Sequence, residues 1–118
     1  MLKTTKYKIV FYKSLSKREV ILDFIDKFPN KIVLKIKSDI RLLEEYSLSL
    51  LSTSKVKKIN SYSNLFELRI KSVIQIRLFF CYFRPNIFLI LHGFVKKTNK
   101  TPHKEIQVAV NRQKEFDN

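Results

Sequence analysis

The chain has 118 residues and a mass of 14.1 kDa, room for one hydrophobic core and so for one domain over residues 1–118. Hydrophobic residues make up 45% and aromatics 13%, with ten Phe and five Tyr, enough apolar surface to offset the ordering entropy of a compact fold and to exclude a disordered chain. Lys and Arg number 24 against 10 Asp and Glu, a formal charge of +14 with a pI near 10.0, which points to a polyanionic partner.

The charge is also unevenly placed. From Lys55 to Lys104 the bases are Lys55, Lys57, Lys58, Arg69, Lys71, Arg77, Arg84, Lys96, Lys97, Lys100 and Lys104, and the only acid is Glu67. Most acids lie between Glu19 and Glu45. A lysine-rich composition accounts for the bulk charge but not for acids avoiding half the chain. Cys81 is the single cysteine, so no intrachain disulfide or Cys-rich metal site is expected and a reducing cytoplasm fits. The N-terminus lacks an apolar segment of roughly 7–15 residues, and Arg84-Pro85-Asn86 divides the apolar runs Leu78–Phe83 and Ile87–Leu91, so neither export nor membrane spanning is expected.

In chain order, Tyr7–Tyr12 is a short β-prone run. Ser16-Lys17-Arg18-Glu19 has capping-box spacing and predicts a helix start. Val20, Ile21, Phe24, Ile25 and Phe28 then form an apolar stripe that Pro29 ends. A second helix is predicted from Lys31 to about Glu45, with Ile32, Ile36, Ile40 and Leu43 inward; the two read as a hairpin covering one sheet face. Ser47–Ser63 has no clean period and reads as loop with room for a short strand. Phe66, Leu68 and Ile70 alternate with Glu67, Arg69 and Lys71, the two-residue period of a strand. Val73–Phe83 and Ile87–Val95 follow as apolar strands around a tight turn, giving an antiparallel meander. Thr101-Pro102 combines an N-cap residue with Pro in the first helical position, and Ile106, Ala109, Val110 and Phe116 supply the packing side of a last helix. The expected class is α+β, without a βαβ repeat or a Gly-rich phosphate loop.

RNA can be cut without metal when the 2′-hydroxyl is aligned with the scissile phosphate and fixed cations stabilise the phosphorane. A meander would bring Arg69, Lys71, Arg77, Lys96 and Lys97 to one surface, with Lys55, Lys57 and Lys58 as further RNA contacts. Arg69 and Arg77 stand out because they interrupt apolar strands, where an unpaired charge is costly. His92 has the pKa range of a general acid or base, yet a His among apolar residues is more often a hydrogen-bonded structural group; both readings stay open. Glu67, on the face of Arg69, reads as a salt-bridge partner that orients it rather than as a base. His103 reads as an exposed helix-start residue. Cys81 among Phe80, Tyr82 and Phe83 reads as an inert core thiol, and the aromatics of residues 79–83 as core more than as a base-stacking platform. Two His and one Cys without a spaced acidic cluster predict neither metal nor cofactor.

Four segments together carry a family resemblance: Glu67-Leu68-Arg69, Arg77 with Phe79 and Phe80, Leu91-His92-Gly93-Phe94-Val95-Lys96-Lys97, and Thr101-Pro102-His103-Lys104-Glu105-Ile106. With these the chain resembles the RelE/ParE toxin superfamily, within it the HigB-like, phage-derived branch of type II toxin–antitoxin systems. The resemblance implies a RelE-like fold: an N-terminal strand and helical hairpin packed on an antiparallel meander sheet, with a C-terminal helix. It implies a cytoplasmic, ribosome-dependent endoribonuclease that cuts messenger RNA in the A site of the 70S ribosome. The partner implied is a cognate helix-turn-helix antitoxin, with a monomeric free toxin and a larger complex. Arg69 and Arg77 would then stabilise phosphate and transition state, and Lys96 and Lys97 would contact RNA. The chain departs from the pattern in having Ser72-Val73-Ile74-Gln75-Ile76 where relatives carry a Gly-containing turn and an aromatic before the Arg. Its last helix also lacks the Tyr that serves as general base in the RelE branch, which leaves proton transfer to His92 or a Lys. Two further readings fit the same residues, a ParE-like gyrase inhibitor without catalysis and an inactive basic nucleic-acid-binding protein.

Overall fold

The computed structural model describes residues 6–117. Strand β1 (Lys8–Phe11) leads into helices α1 (Val20–Asp26) and α2 (Asn30–Tyr46). A 3-10 turn over Ser47–Ser52 then precedes strands β2 (Val56–Lys58), β3 (Phe66–Lys71), β4 (Gln75–Arg84) and β5 (Ile87–Val95), and helix α3 (His103–Lys114) follows. The class is α+β, with a five-stranded mixed sheet in the order β1-β5-β4-β3-β2. Strands β3 to β5 form the expected antiparallel meander, β2 extends it antiparallel to β3 from the segment read as loop, and β1 joins parallel to β5, Lys8 opposite Ile87 and Phe11 opposite Ile90. The long excursion through α1 and α2 makes that parallel pairing possible, and strand periodicity alone carries no record of it.

Side-chain alternation sorts the two faces. Leu68, Leu78 and Gly93 are cross-strand neighbours, and Gly93 lies against the Phe24 ring of α1, so this row faces the hairpin. Ile36 and Leu43 of α2 and Leu68, Ile70, Ile76 and Leu78 of the sheet are all fully buried, each contributing about 1.5–3 kcal/mol by leaving water. The intervening row, Glu67, Phe79 and His92, faces α3. Phe79 to Phe94 centroids are 5.3 Å apart, so aromatic packing continues beneath α3. Residues 79–81 are core as expected, and Tyr82 emerges at the surface.

Two helix starts differ from expectation. The Ser16–Glu19 box does not form: Lys17 takes φ of 64°, the Arg18 amide donates to Ser14 Oγ at 3.0 Å, and α1 begins only at Val20. A left-handed residue inside the proposed first turn is incompatible with a helix there. Thr101 likewise does not cap α3. Pro102 occupies the cap position with extended backbone and no side-chain capping bond, while the Thr101 hydroxyl donates to Glu67 Oε2 at 3.3 Å. The Arg84–Asn86 turn is as expected, with Asn86 at φ of 60°, a conformation Asn tolerates.

Between β4 and β5 the register shifts so that Phe79 opposes His92 but Phe80 opposes Ile90, leaving Leu91 as a bulge. Arg112 of α3 donates to the Leu91 carbonyl at 2.8 Å, satisfying a group the ladder leaves open and fastening α3 to the sheet.

Candidate anion-binding cleft

Across the α3 face, Lys57, Glu67, Phe79 and His92 stand side by side on β2, β3, β4 and β5, and Arg69, Arg77 and Phe94 form the next row. The start of α3 lies over this face and leaves it open near β2. The opening is a cleft of about 320 Å³. Its walls carry Lys57, Lys58, Asn60, Arg69, Lys96, Asn99 and Lys100, with Ile59 and Ile106 as apolar flanks and Glu67 and Thr101 also lining it. Lys57, Lys58, Arg69, Lys96 and Lys100 thus face a single carboxylate.

That carboxylate is almost wholly buried, with 2% of its side chain exposed. Its Oε1 accepts from Arg69 Nε at 2.9 Å and its Oε2 from the Thr101 hydroxyl at 3.3 Å. Arg77 stands behind, 7% exposed, with Nε 3.5 Å from the same Oε1. At that separation the two attract as ions, but Arg77 Nε makes no hydrogen bond among the described residues. Its Nη1 donates to the Ile76 carbonyl at 3.1 Å. Burial pushes the Arg77 guanidinium below the ordinary arginine value, with Glu67 opposing and Arg69 reinforcing the shift; an arginine remains charged nonetheless. Two guanidiniums therefore share one buried carboxylate and leave one positive charge uncompensated. Deleting Glu67 would strand both, a loss of about 3–5 kcal/mol for a broken buried pair.

Arg69 is held only through Nε. Its Nη1 and Nη2 groups make no other hydrogen bond among the described residues, so the outer edge of its guanidinium fork is available to a planar or tetrahedral oxyanion. Lys96 follows β5, its backbone amide fixed on the Gln75 carbonyl at 2.7 Å. Partial burial lowers its pKa below the ordinary lysine value, and the nearby Arg77, Arg69 and Lys57 charges act in the same direction against Glu67.

Not every residue expected at this surface reaches it. Lys71 lies exposed at the end of β3, and Lys97 is exposed and does not line the cleft. Lys55 is turned to the other side, where its Nζ lies 2.8 Å from Asp39 Oδ2 on α2, with Lys35 at 3.2 Å from the other oxygen. The 1% exposure of Asp39 explains the capture: a buried carboxylate demands cationic partners. His92 shares the face but not the cleft. Its Nε2 lies 2.8 Å from Glu105 Oε1, its ring stacks near Phe94, and burial chiefly lowers its pKa, the marks of the hydrogen-bonded structural histidine. Cys81 is buried with its thiol pushed up to about 12, chiefly by burial, and His103 is exposed. Asn60, Asn99 and Thr101 were not identifiable in advance, because Thr101 reads as a helix cap and the two Asn as ordinary loop residues.

A family model described as Phage derived protein Gp49-like (DUF891) matches residues 23–114. The chain belongs to this family. Gp49-like proteins are toxin-like relatives of RelE/HigB toxins, and the matched segment of this Gp49-like chain runs from α1 to the end of α3, enclosing every residue that lines the cleft. No curated protein matches the chain. No helix among the described residues is long and apolar enough to cross a membrane.

Proposed function

We propose that this Gp49-like protein is the toxin of a type II toxin–antitoxin pair, an endoribonuclease that cuts messenger RNA on the ribosome without a metal ion. The observation that carries the reading is the cleft in which five cations surround one buried carboxylate. A phosphodiester supplies the missing negative charge, and the outward fork of Arg69 suits its two non-bridging oxygens. Cationic residues are also what the reaction needs, since charge grows on those oxygens as the phosphorane forms.

In this reading the RNA 2′-oxygen attacks the adjacent phosphorus, the bond to the 5′-oxygen breaks, and the products are a 2′,3′-cyclic phosphate and a 5′-hydroxyl. The 2′-hydroxyl proton passes to solvent water, and the Lys96 ammonium stabilises the charge that grows on the phosphorane. Lys57 or Lys100, protonated, returns one to the leaving 5′-oxygen. Arg69 and Lys58 hold the phosphate, and Arg77 raises the local potential from behind Glu67. Lys71 and Lys97 belong to the outer RNA-contact surface. The net charge of +14 favours approach to a ribosome, itself a polyanion, and makes affinity fall with salt. The partner that restrains such a toxin is a cognate helix-turn-helix antitoxin.

The test is primer extension on a reporter messenger RNA after induced expression of wild type, Arg69→Ala and Arg77→Ala, with translation running or blocked. The expected result is in-frame cuts that require translating ribosomes and fall roughly 100-fold or more in Arg69→Ala. Growth arrest with intact messenger RNA would reject the nuclease and favour the gyrase-directed reading.

A further inference from the structure

We infer that Glu67 is a positioning residue that sets turnover separately from RNA binding: it aims the Arg69 fork at the scissile phosphate and links that aim to the start of α3 through Thr101. This inference rests on the nuclease reading of the same cleft.

Three geometric facts carry it. Glu67 Oε1 holds Arg69 by Nε alone, at 2.9 Å, which fixes the plane of the guanidinium while leaving both Nη groups for a ligand. The other oxygen, Oε2, is held by Thr101 at 3.3 Å, so the carboxylate is oriented from the segment entering α3 and not only from its own strand. Arg77 Nε, buried and without a hydrogen bond, stands 3.5 Å from the oxygen that Arg69 occupies. One carboxylate therefore sits between two guanidiniums, and its direction decides where the more exposed one points.

The charge balance makes positioning separable from binding. An acid lining a cationic cleft weakens attraction for RNA, so a residue serving affinity alone would be better neutral. Glu67→Gln keeps the volume and removes the negative charge. It leaves RNA affinity unchanged or tighter, because the cleft gains a full positive charge, and it slows cleavage, because the amide holds Arg69 weakly and turns its own NH2 toward a guanidinium or toward the Thr101 donor. A misdirected contact at the reacting centre is worth roughly 10–100-fold in rate. A residue that matters only for folding would lower affinity and rate together through loss of active protein.

The experiment uses the full chain with programmed ribosomes, comparing wild type, Glu67→Gln, Glu67→Asp and Thr101→Val. Three quantities are read: dissociation constant for an RNA oligonucleotide, single-turnover cleavage rate at saturating protein, and hydrogen exchange of the Arg69 Nε–Hε group by NMR, assigned by its disappearance in Arg69→Lys. The expected pattern is a slowly exchanging Arg69 Hε in wild type that becomes fast in Glu67→Gln. Cleavage then falls roughly 10–100-fold while RNA binds no more weakly. Glu67→Asp restores the charge but retracts the carboxylate by one methylene, so its rate stays low. Thr101→Val shows a smaller loss of the same kind.

Wild-type cleavage matched by Glu67→Gln overturns the inference and leaves the nuclease reading intact. So does a parallel fall in affinity and rate once both are normalised to the folded fraction read from the NMR spectrum, which removes the stability lost when Glu67 no longer pairs the two arginines. Wild type that binds RNA but does not cut overturns the nuclease reading, and with it any role of Glu67 in turnover, whatever the NMR exchange reports.

Discussion

His92 shows how a residue suited to catalysis by type is given a structural task by its surroundings. The imidazole lies under α3 beside Phe79 and Phe94, with Nε2 at 2.8 Å from Glu105 Oε1 and Arg112 as the nearby cation. Burial lowers its pKa from the ordinary 6.5, with the Glu105 hydrogen bond opposing. The folded state therefore binds a proton less readily than the unfolded chain. Stability from this group is fully present above pH 6.5 and is lost as pH falls from there through the lowered folded value. His92→Gln retains a donor for Glu105 and removes the titration. Its cleavage rate is expected to stay within a few-fold of wild type, and its stability to decline less steeply than wild type when urea unfolding is compared at pH 7.5 and below pH 6.5. Equal pH slopes would show that His92 is not the group being titrated, and a large loss of cleavage would return it to the catalytic set.

At the scale of elements, Gly93 sets how closely α1 approaches the sheet. A Cβ there would lie 2.7 Å from the Phe24 ring and 2.8 Å from Leu78 Cδ2, and Leu78 is fully buried, so the neighbour beneath has nowhere to go. Gly93→Ala is expected to cost about 1–3 kcal/mol through overpacking, measured by chemical denaturation; an unchanged midpoint would mean that α1 is more loosely seated than the structure has it. Periodicity made β3, α1 and α2 legible in the sequence, because alternating and three-to-four spacing report directly on burial, and β5 was legible as a continuous apolar run. What escaped were contacts made by polar residues with two options. Ser14 bonds the Arg18 amide that the Ser16 capping box would have used, and Thr101 serves Glu67 instead of a helix end. Arg69 and Arg77 were legible as residues of this face, since charges in apolar strands need a purpose, and Lys96 by its place at the end of the third meander strand. The withdrawal of Lys55 was not, because it depends on Asp39, sixteen residues earlier and buried on α2.

For the molecule as a whole, the sheet works as a divider. The hairpin covers one face, packing Ile21, Ile25, Ile32, Ile36, Ile40 and Leu43 against it, while α3 covers part of the other and leaves the β2–β3 end open. Since most acids lie on the segment that forms the hairpin and its flanks, the open end keeps its bases with only Glu67 to balance them. The uneven charge along the chain thus becomes a charged cleft in space, and its pull on a polyanion follows from topology as much as from composition. The account turns on whether that cleft cuts RNA by attack of the 2′-oxygen. The most direct measurement is to incubate the purified protein with messenger-RNA-programmed ribosomes at the lowest magnesium that keeps the ribosomes assembled, and to identify the ends of the fragments. A 2′,3′-cyclic phosphate with a 5′-hydroxyl, abolished by Arg69→Ala, is the predicted result; 3′-hydroxyl and 5′-phosphate ends, or intact RNA, would contradict it.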